Sequence, residues 1–137
     1  MNIKKEILDI IVQYLNKISS GSNVELSINF NATKEFEDGW IVHYQSKDYL
    51  DSGNEKSRLI GTAPFIIDKS THKIWQLGFR FSPEEYIYLY MKYKSDLRFI
   101  NAIFSNGDFG GEDLSMQQRC IDAISEMHEH FNSGCVQ

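Results

Sequence analysis

Apolar residues recur at three- and four-residue steps from the start of the chain: Ile3, Ile7, Ile10, Ile11, Tyr14, Leu15 and Ile18, with Lys4, Lys5, Asp9 and Lys17 between them. That spacing puts the apolar side chains on one stripe of an α-helix and the charges on the wet face. Ser19-Ser20-Gly21-Ser22 stops it. From residue 24 the period changes to two, with Val24, Leu26, Ile28 and Phe30 set against Glu25, Ser27 and Asn29, which predicts a half-buried strand over 24–30. Glu37-Asp38-Gly39 is a turn signal leading into a second strand over 40–46. There Trp40, Val42 and Tyr44 share one face and Ile41, His43 and Gln45 the other. The segment from Lys47 to Arg58 is polar and reads as a surface loop.

Residues 63–68 are apolar on both faces at Phe65, Ile66 and Ile67, the pattern of a central strand covered on both sides. Lys69-Ser70-Thr71-His72 reads as a hairpin loop into a strand over 73–79, with Trp75, Leu77 and Phe79 on one face. Ser82-Pro83-Glu84-Glu85 combines a capping hydroxyl, a proline at the first helical position and a glutamate three residues after the cap, which is a strong helix start. Tyr86, Leu89, Tyr90 and Tyr93 form its stripe, and Leu97, Ile100, Ile103 and Phe104 continue helical spacing in a long or broken helix toward Asn106-Gly107. After a loop over 108–113, Ser115-Met116-Gln117-Gln118 repeats the capping-box pattern, and Met116, Cys120, Ala123, Ile124, Met127 and Phe131 give a last helix one buried face. The order predicts an α+β fold: an N-terminal helix, an antiparallel sheet of about four strands, and C-terminal helices packed on the sheet.

Length changes this picture little, since 137 residues suit one domain spanning 1–137. Charge excludes more. A formal net charge of −5 argues against a nucleic-acid partner, which calls for clustered Lys and Arg to displace counterions. No run approaches the ~18 apolar residues of a membrane span, so no membrane partner is expected. Asp9 and Gln13 interrupt the first apolar run, and no small-residue cleavage site follows, so a signal peptide is not expected either. Cys120 and Cys135 make a poor disulfide framework, and a reducing cytoplasm fits them best. The aromatic share of 13 % serves either a dense core or a binding surface. Trp40 and Trp75 read as mainly core, and Tyr49, beside Asp48 and Asp51, as an exposed anchor.

Chemistry-bearing residues are sparse. Cys120, His128, His130 and Cys135 invite a metal hypothesis, but zinc ligands come in close pairs, and residues two apart on a helix point about 200° apart. No metal or other cofactor is expected. Cys120 with His43 or His72 could in principle form a nucleophile and base, although its place on an apolar stripe reads as a small buried hydrophobe. The carboxylates and glycines of Asp108 to Asp113 lack EF-hand spacing. No catalytic residue is assigned. Asp48, Asp51 and Glu55 are either a solvated charge run or an acidic lip for a basic partner.

Within this reading, residues 39–86 resemble the immunity protein 35 family, also called YrhB-like, of bacterial polymorphic toxin systems. The residues that carry the resemblance are Trp40, Tyr44, Gly61, Pro64, Ile66, Asp68, Lys69, Thr71, Glu85 and Tyr86. Two turn positions depart from the family pattern: Thr62 replaces the usual Asn, and His72 stands where Gly is common. Trp40, Gly61, Pro64, Asp68, Thr71 and Glu85 are expected to be scaffold residues, with Asp68 and Thr71 bonding turn amides. The resemblance implies an immunity protein that binds a cognate toxin domain in the bacterial cytoplasm and blocks it without catalysis. It says little about 94–137. From exposure and charge, the contact surface is expected at Asp48, Tyr49, Asp51 and Glu55, together with Asp108, Glu112 and Asp113. A chaperone-like or housekeeping module with many clients, and a small hydrolase using Cys120 or His43, are the alternatives.

Overall fold

In the computed structural model, residues 3–104 and 114–132 are described. The chain divides into two compact units, Met1–Trp75 and Gln76–Gln137. The elements are those of a mixed α+β fold, with an N-terminal helix, a four-stranded antiparallel sheet, a two-stranded sheet and helices at the C-terminal end.

The first unit begins with α1, Lys5–Ile18, whose buried residues Ile7, Ile11 and Leu15 fall at four-residue steps. This stripe packs into a core with Ile28, Trp40, Val42, Phe65 and Ile67. The Tyr14 ring meets Phe65 edge-on at 4.7 Å, and Tyr44 lies 5.9 Å from the same ring. Burial pushes both tyrosine hydroxyls above their ordinary pKa.

The region read as two strands is one irregular hairpin that makes four. β1, Leu26–Ile28, pairs with β4, Tyr44–Ser46, while β2, Lys34–Phe36, pairs with β3, Gly39–Val42, across a turn at Glu37 and Asp38. Between the pairs Ile28↔Tyr44 and Lys34↔Ile41, residues 29–33 face only residues 42 and 43, so the first strand carries a bulge. Buried Thr33 closes it: its Oγ1 accepts from the His43 N–H at 3.0 Å and donates to the His43 carbonyl at 3.3 Å. The continuous strand expected over 40–46 is therefore split at His43 between two sheets. Lys34-Glu35-Phe36 gave no signal because Lys34 and Glu35 are exposed and only Phe36 is part-buried.

The larger sheet has the order β2-β3-β5-β6, where β5 is Phe65–Asp68 and β6 is Ile74–Gln76. Register pairs Trp40 with Ile67 and Val42 with Phe65 on the face toward α1. Ile41 and Ile66 pair on the opposite face and are also buried. β5 has the two-sided apolar character of a central strand. In the β5–β6 loop the buried Asp68 carboxylate accepts from the Ser70 and Thr71 amides at 2.8 and 3.0 Å, and the Thr71 hydroxyl accepts from the Lys73 amide. His72 in this loop has φ 61°, a left-handed backbone that costs a side-chain-bearing residue roughly 1–2 kcal/mol.

In the second unit the strand expected over 73–79 ends at Gln76. Backbone groups of Gly78, Arg80 and Phe81 gather instead at the Tyr86 hydroxyl, so Leu77 is buried while Phe79 is exposed. α3, Pro83–Tyr93, carries the full capping box: Ser82 Oγ accepts from the Glu85 amide at 3.2 Å, and Glu85 Oε1 from the Ser82 amide at 2.8 Å. The long helix is broken. Asp96 caps α4, Leu97–Phe104, by accepting from the Phe99 amide, and its other oxygen holds Arg119 of α5, Leu114–Asn132, at 2.9 Å. The Arg119 bond first, and then the Phe99 amide, holds the Asp96 carboxyl below its ordinary pKa. Because α5 already includes Leu114, Ser115 lies inside the helix and is not its cap. Among the side chains described in these helices, Tyr86, Leu89, Tyr90, Phe99, Ile100, Ile103, Phe104, Cys120, Ala123 and Met127 are buried and Ile124 is half-buried, while Met116 and Phe131, expected on the same face, lie outside those described.

Two substitutions test the strand framework. A Cβ on Gly39 would stand 2.2 Å from the Ile67 carbonyl oxygen, so Gly39→Ala is expected to lower unfolding free energy by about 3 kcal/mol in denaturant titration. His72→Gly relieves the left-handed strain against the greater freedom of an unfolded glycine, and is expected to raise stability by roughly 0.5–1 kcal/mol. An H72G protein no more stable than the wild type would mean that side-chain contacts of His72 offset the strain.

Candidate functional site

The polar segment after β4 is built and not loose. Ser46 ends the strand and caps α2, Lys47–Ser52, its Oγ accepting from the Tyr49 amide at 3.0 Å, and Gly53 closes the helix. A single 3-10 turn, Glu55–Ser57, follows, capped by the Asn54 side chain on the Lys56 amide. The expected loop over 47–58 is thus two short capped helices. The absence of an apolar stripe hid them, although Ser46 as cap, Lys47 and Asp51 at helical spacing and Gly53 as stop were signals in the sequence.

Buried side chains fasten this segment to the edge of β4. Gln45 Oε1 accepts from the Leu59 amide at 2.6 Å and the Ser46 amide at 2.9 Å, while its Nε2 donates to the Leu59 carbonyl at 3.0 Å. The Ser46 hydroxyl donates to the Ser57 carbonyl at 2.6 Å. Between the start of β1, α2 and the 3-10 turn lies a cleft of about 630 Å³. Val24 and Glu25 line one side, Lys47, Asp48 and Asp51 the helix side, and Lys56 to Leu59 the remainder.

Two of the carboxylates read as an acidic lip, Asp48 and Asp51, meet in this cleft, but each already has a partner. Lys47 pairs with Asp51, and the Ser57 hydroxyl donates to Asp48. The Asp51 hydrogen bond is the main cause of the raised Lys47 pKa. Glu55 is exposed on the 3-10 turn, 3.8 Å from Arg58, and Tyr49 on α2 is half-buried. The cleft also carries two cations, Lys56 and Arg58, that a search for acidic residues passes over. Asp108, Glu112 and Asp113 lie outside the described residues. A smaller hollow of about 190 Å³ sits beside Trp40, where Lys69 pairs with Glu35 and lies 5.8 Å over the buried indole ring.

The remaining singled-out residues lie in turns, a helix cap and the core. Gly61, at φ 81°, and Pro64 precede β5, Asp68 and Thr71 accept from amides of the β5–β6 loop, and Glu85 completes the capping box while lying 3.2 Å from His128 Nε2. Cys120 is 1 % exposed, and burial pushes its thiol up to about 11, the reverse of an activated nucleophile. Trp40 is buried and Trp75 half-buried. Among the described residues, no three His, Cys, Asp or Glu side chains come together as a metal site, and no helix is long and apolar enough to cross a membrane.

The sequence model for immunity protein 35 matches residues 5–87, which takes in the helix, both sheets, the cleft and the start of α3. The uncharacterized protein YrhB of Escherichia coli (strain K12) is 35 % identical over 65 residues, covering 47 % of this chain and 69 % of YrhB. No solved structure matches the chain. Helices α4 and α5 lie beyond the matched residues. With more than half of its 137 residues matched by that model, the chain belongs to the immunity protein 35 family.

Proposed function

We propose that this chain is an immunity protein that acts in the bacterial cytoplasm by binding a cognate toxin domain and neutralising it through stoichiometric protein–protein association, without catalysis. The observation that carries the reading is the family match over residues 5–87, which includes the cleft-bearing segment that follows β4. The buried, high-pKa Cys120 supports a non-catalytic role, since a thiol in that state is a poor nucleophile. The contact surface in this proposal includes Asp48, Tyr49, Asp51 and Glu55; Asp108, Glu112 and Asp113, which lie outside the described residues, are counted with it on charge alone. A net charge of −5 would speed encounter with a basic toxin.

The test is growth rescue with co-purification. A candidate toxin domain taken from a gene neighbouring this one is expressed in a susceptible host with and without it. Rescue together with a one-to-one complex is the expected result. Failure to rescue, with many unrelated proteins recovered from source-cell lysate, would replace the proposal by a chaperone-like role.

The surface has its own test. Asp51→Lys with Glu55→Lys reverses two exposed charges and leaves the Asp48–Ser57 bond intact. Exposed ion pairs contribute little to stability, so melting temperature is expected to stay within about 2 °C while protection falls. Undiminished protection would move the contact surface elsewhere.

A further inference from the structure

Among the large apolar side chains described, Ile60 stands out: it is 94 % exposed, against 71 % for Phe79 and 48 % or less for the others exposed in the first unit. Scattered apolar side chains are ordinary on a protein surface. What sets Ile60 apart is how it is held. The residue before it, Leu59, has both backbone groups gripped by the buried amide of Gln45, at 2.6 and 3.0 Å. The residue after it, Gly61, turns the chain away at φ 81°. A β-branched side chain has few rotamers to lose. Ile60 is therefore a preorganised aliphatic knob, standing beside a cleft whose lining includes Leu59 and Val24. Preorganisation of this kind lowers the entropy lost on association.

Charge at the same rim indicates the partner. Asp51 is matched by Lys47, and Asp48 by the Ser57 hydroxyl, whereas exposed Lys56 has no ion-pair partner among the described residues. Arg58 is held only at 3.8 Å from Glu55. We infer that Ile60 is the anchor by which this protein seats in its toxin, entering an apolar socket whose rim carries a carboxylate that pairs with Lys56. The inference rests on the immunity reading and names the partner chemistry of that surface. It also changes the emphasis of that surface, from its carboxylates to an aliphatic anchor and a lysine.

The experiment is a binding titration of a candidate toxin domain from a neighbouring gene against the wild type, Ile60→Ala and Lys56→Glu, with melting curves for each. The expected result is affinity weakened roughly ten- to a hundredfold for I60A, as for a buried interface anchor. K56E is expected to weaken binding less and to raise its sensitivity to salt. Melting temperatures should match the wild type, because neither side chain is buried in the free protein. Wild-type binding that I60A changes by less than about twofold, well short of a hot-spot loss, overturns the anchor and leaves the immunity reading standing. A wild-type chain that binds no such toxin domain overturns the immunity reading and the anchor with it.

Discussion

The close approach of β3 to β5 is the constraint on which the first unit depends. Gly39 opens β3 at a point where a side chain would collide with the Ile67 carbonyl, and its register partner is Asp68. From that contact the alternation of the next residues follows: Trp40 and Val42 meet Ile67 and Phe65 on the side of α1, and Ile41 meets Ile66 on the other. Two turns converge at the same end of the sheet, because the Asp38 carbonyl accepts from the Lys69 amide at 2.8 Å, tying the β2–β3 turn to the end of β5. A one-residue slip in this pairing would exchange the two apolar faces. The absence of a side chain at one position thus sets the register that gives α1 its packing surface.

The parts of the fold that were legible in the sequence are those in which burial is periodic. α1 showed as Ile7, Ile11 and Leu15, β5 as an unbroken apolar run, and the start of α3 as a capping box. The parts that were not legible are those in which one buried polar side chain replaces a backbone ladder. Thr33 takes up both backbone groups of His43 at the bulge, and Gln45 both backbone groups of Leu59, whereas the Asp68 bonds to its loop amides were expected from the turn residues. A lone threonine or glutamine has no period, so its partner can be known only once the chain is folded. Such groups are costly to bury unpaired, and their pairing fixes the irregular segments in one arrangement.

The candidate site illustrates the same limit. Its acidic residues were visible as composition, and the Lys47–Asp51 spacing was a local signal, but the bond from Ser57 to Asp48, nine positions apart across the 3-10 turn, was not legible. In the second unit the apolar spacing continues from α3 into α4, which left a long or a broken helix open. Asp96 stops one helix and caps the next while fixing Arg119, whose guanidinium lies 4.8 Å from the rings of Tyr93 and Phe99. An aspartate in a polar stretch is a weak sequence signal, and its tertiary partner makes the break definite.

Internal pairing also bears on how a partner could be recognised. A carboxylate already bonded to a neighbour must give up that bond before it can meet a charge on another protein, so little free energy remains for specificity. Net charge acts at a distance and does not require those bonds to break, which makes it suited to speeding encounter. Lifetime of the complex is set by groups that gain by leaving water without losing an existing partner, and on this surface Ile60 has that property. On the proposed reading, the acidic surface and the aliphatic knob have separate tasks, one governing how fast a toxin arrives and the other how long it stays. On the same reading Gln45 and Gly61 hold the loop beneath the knob and need not touch the partner themselves.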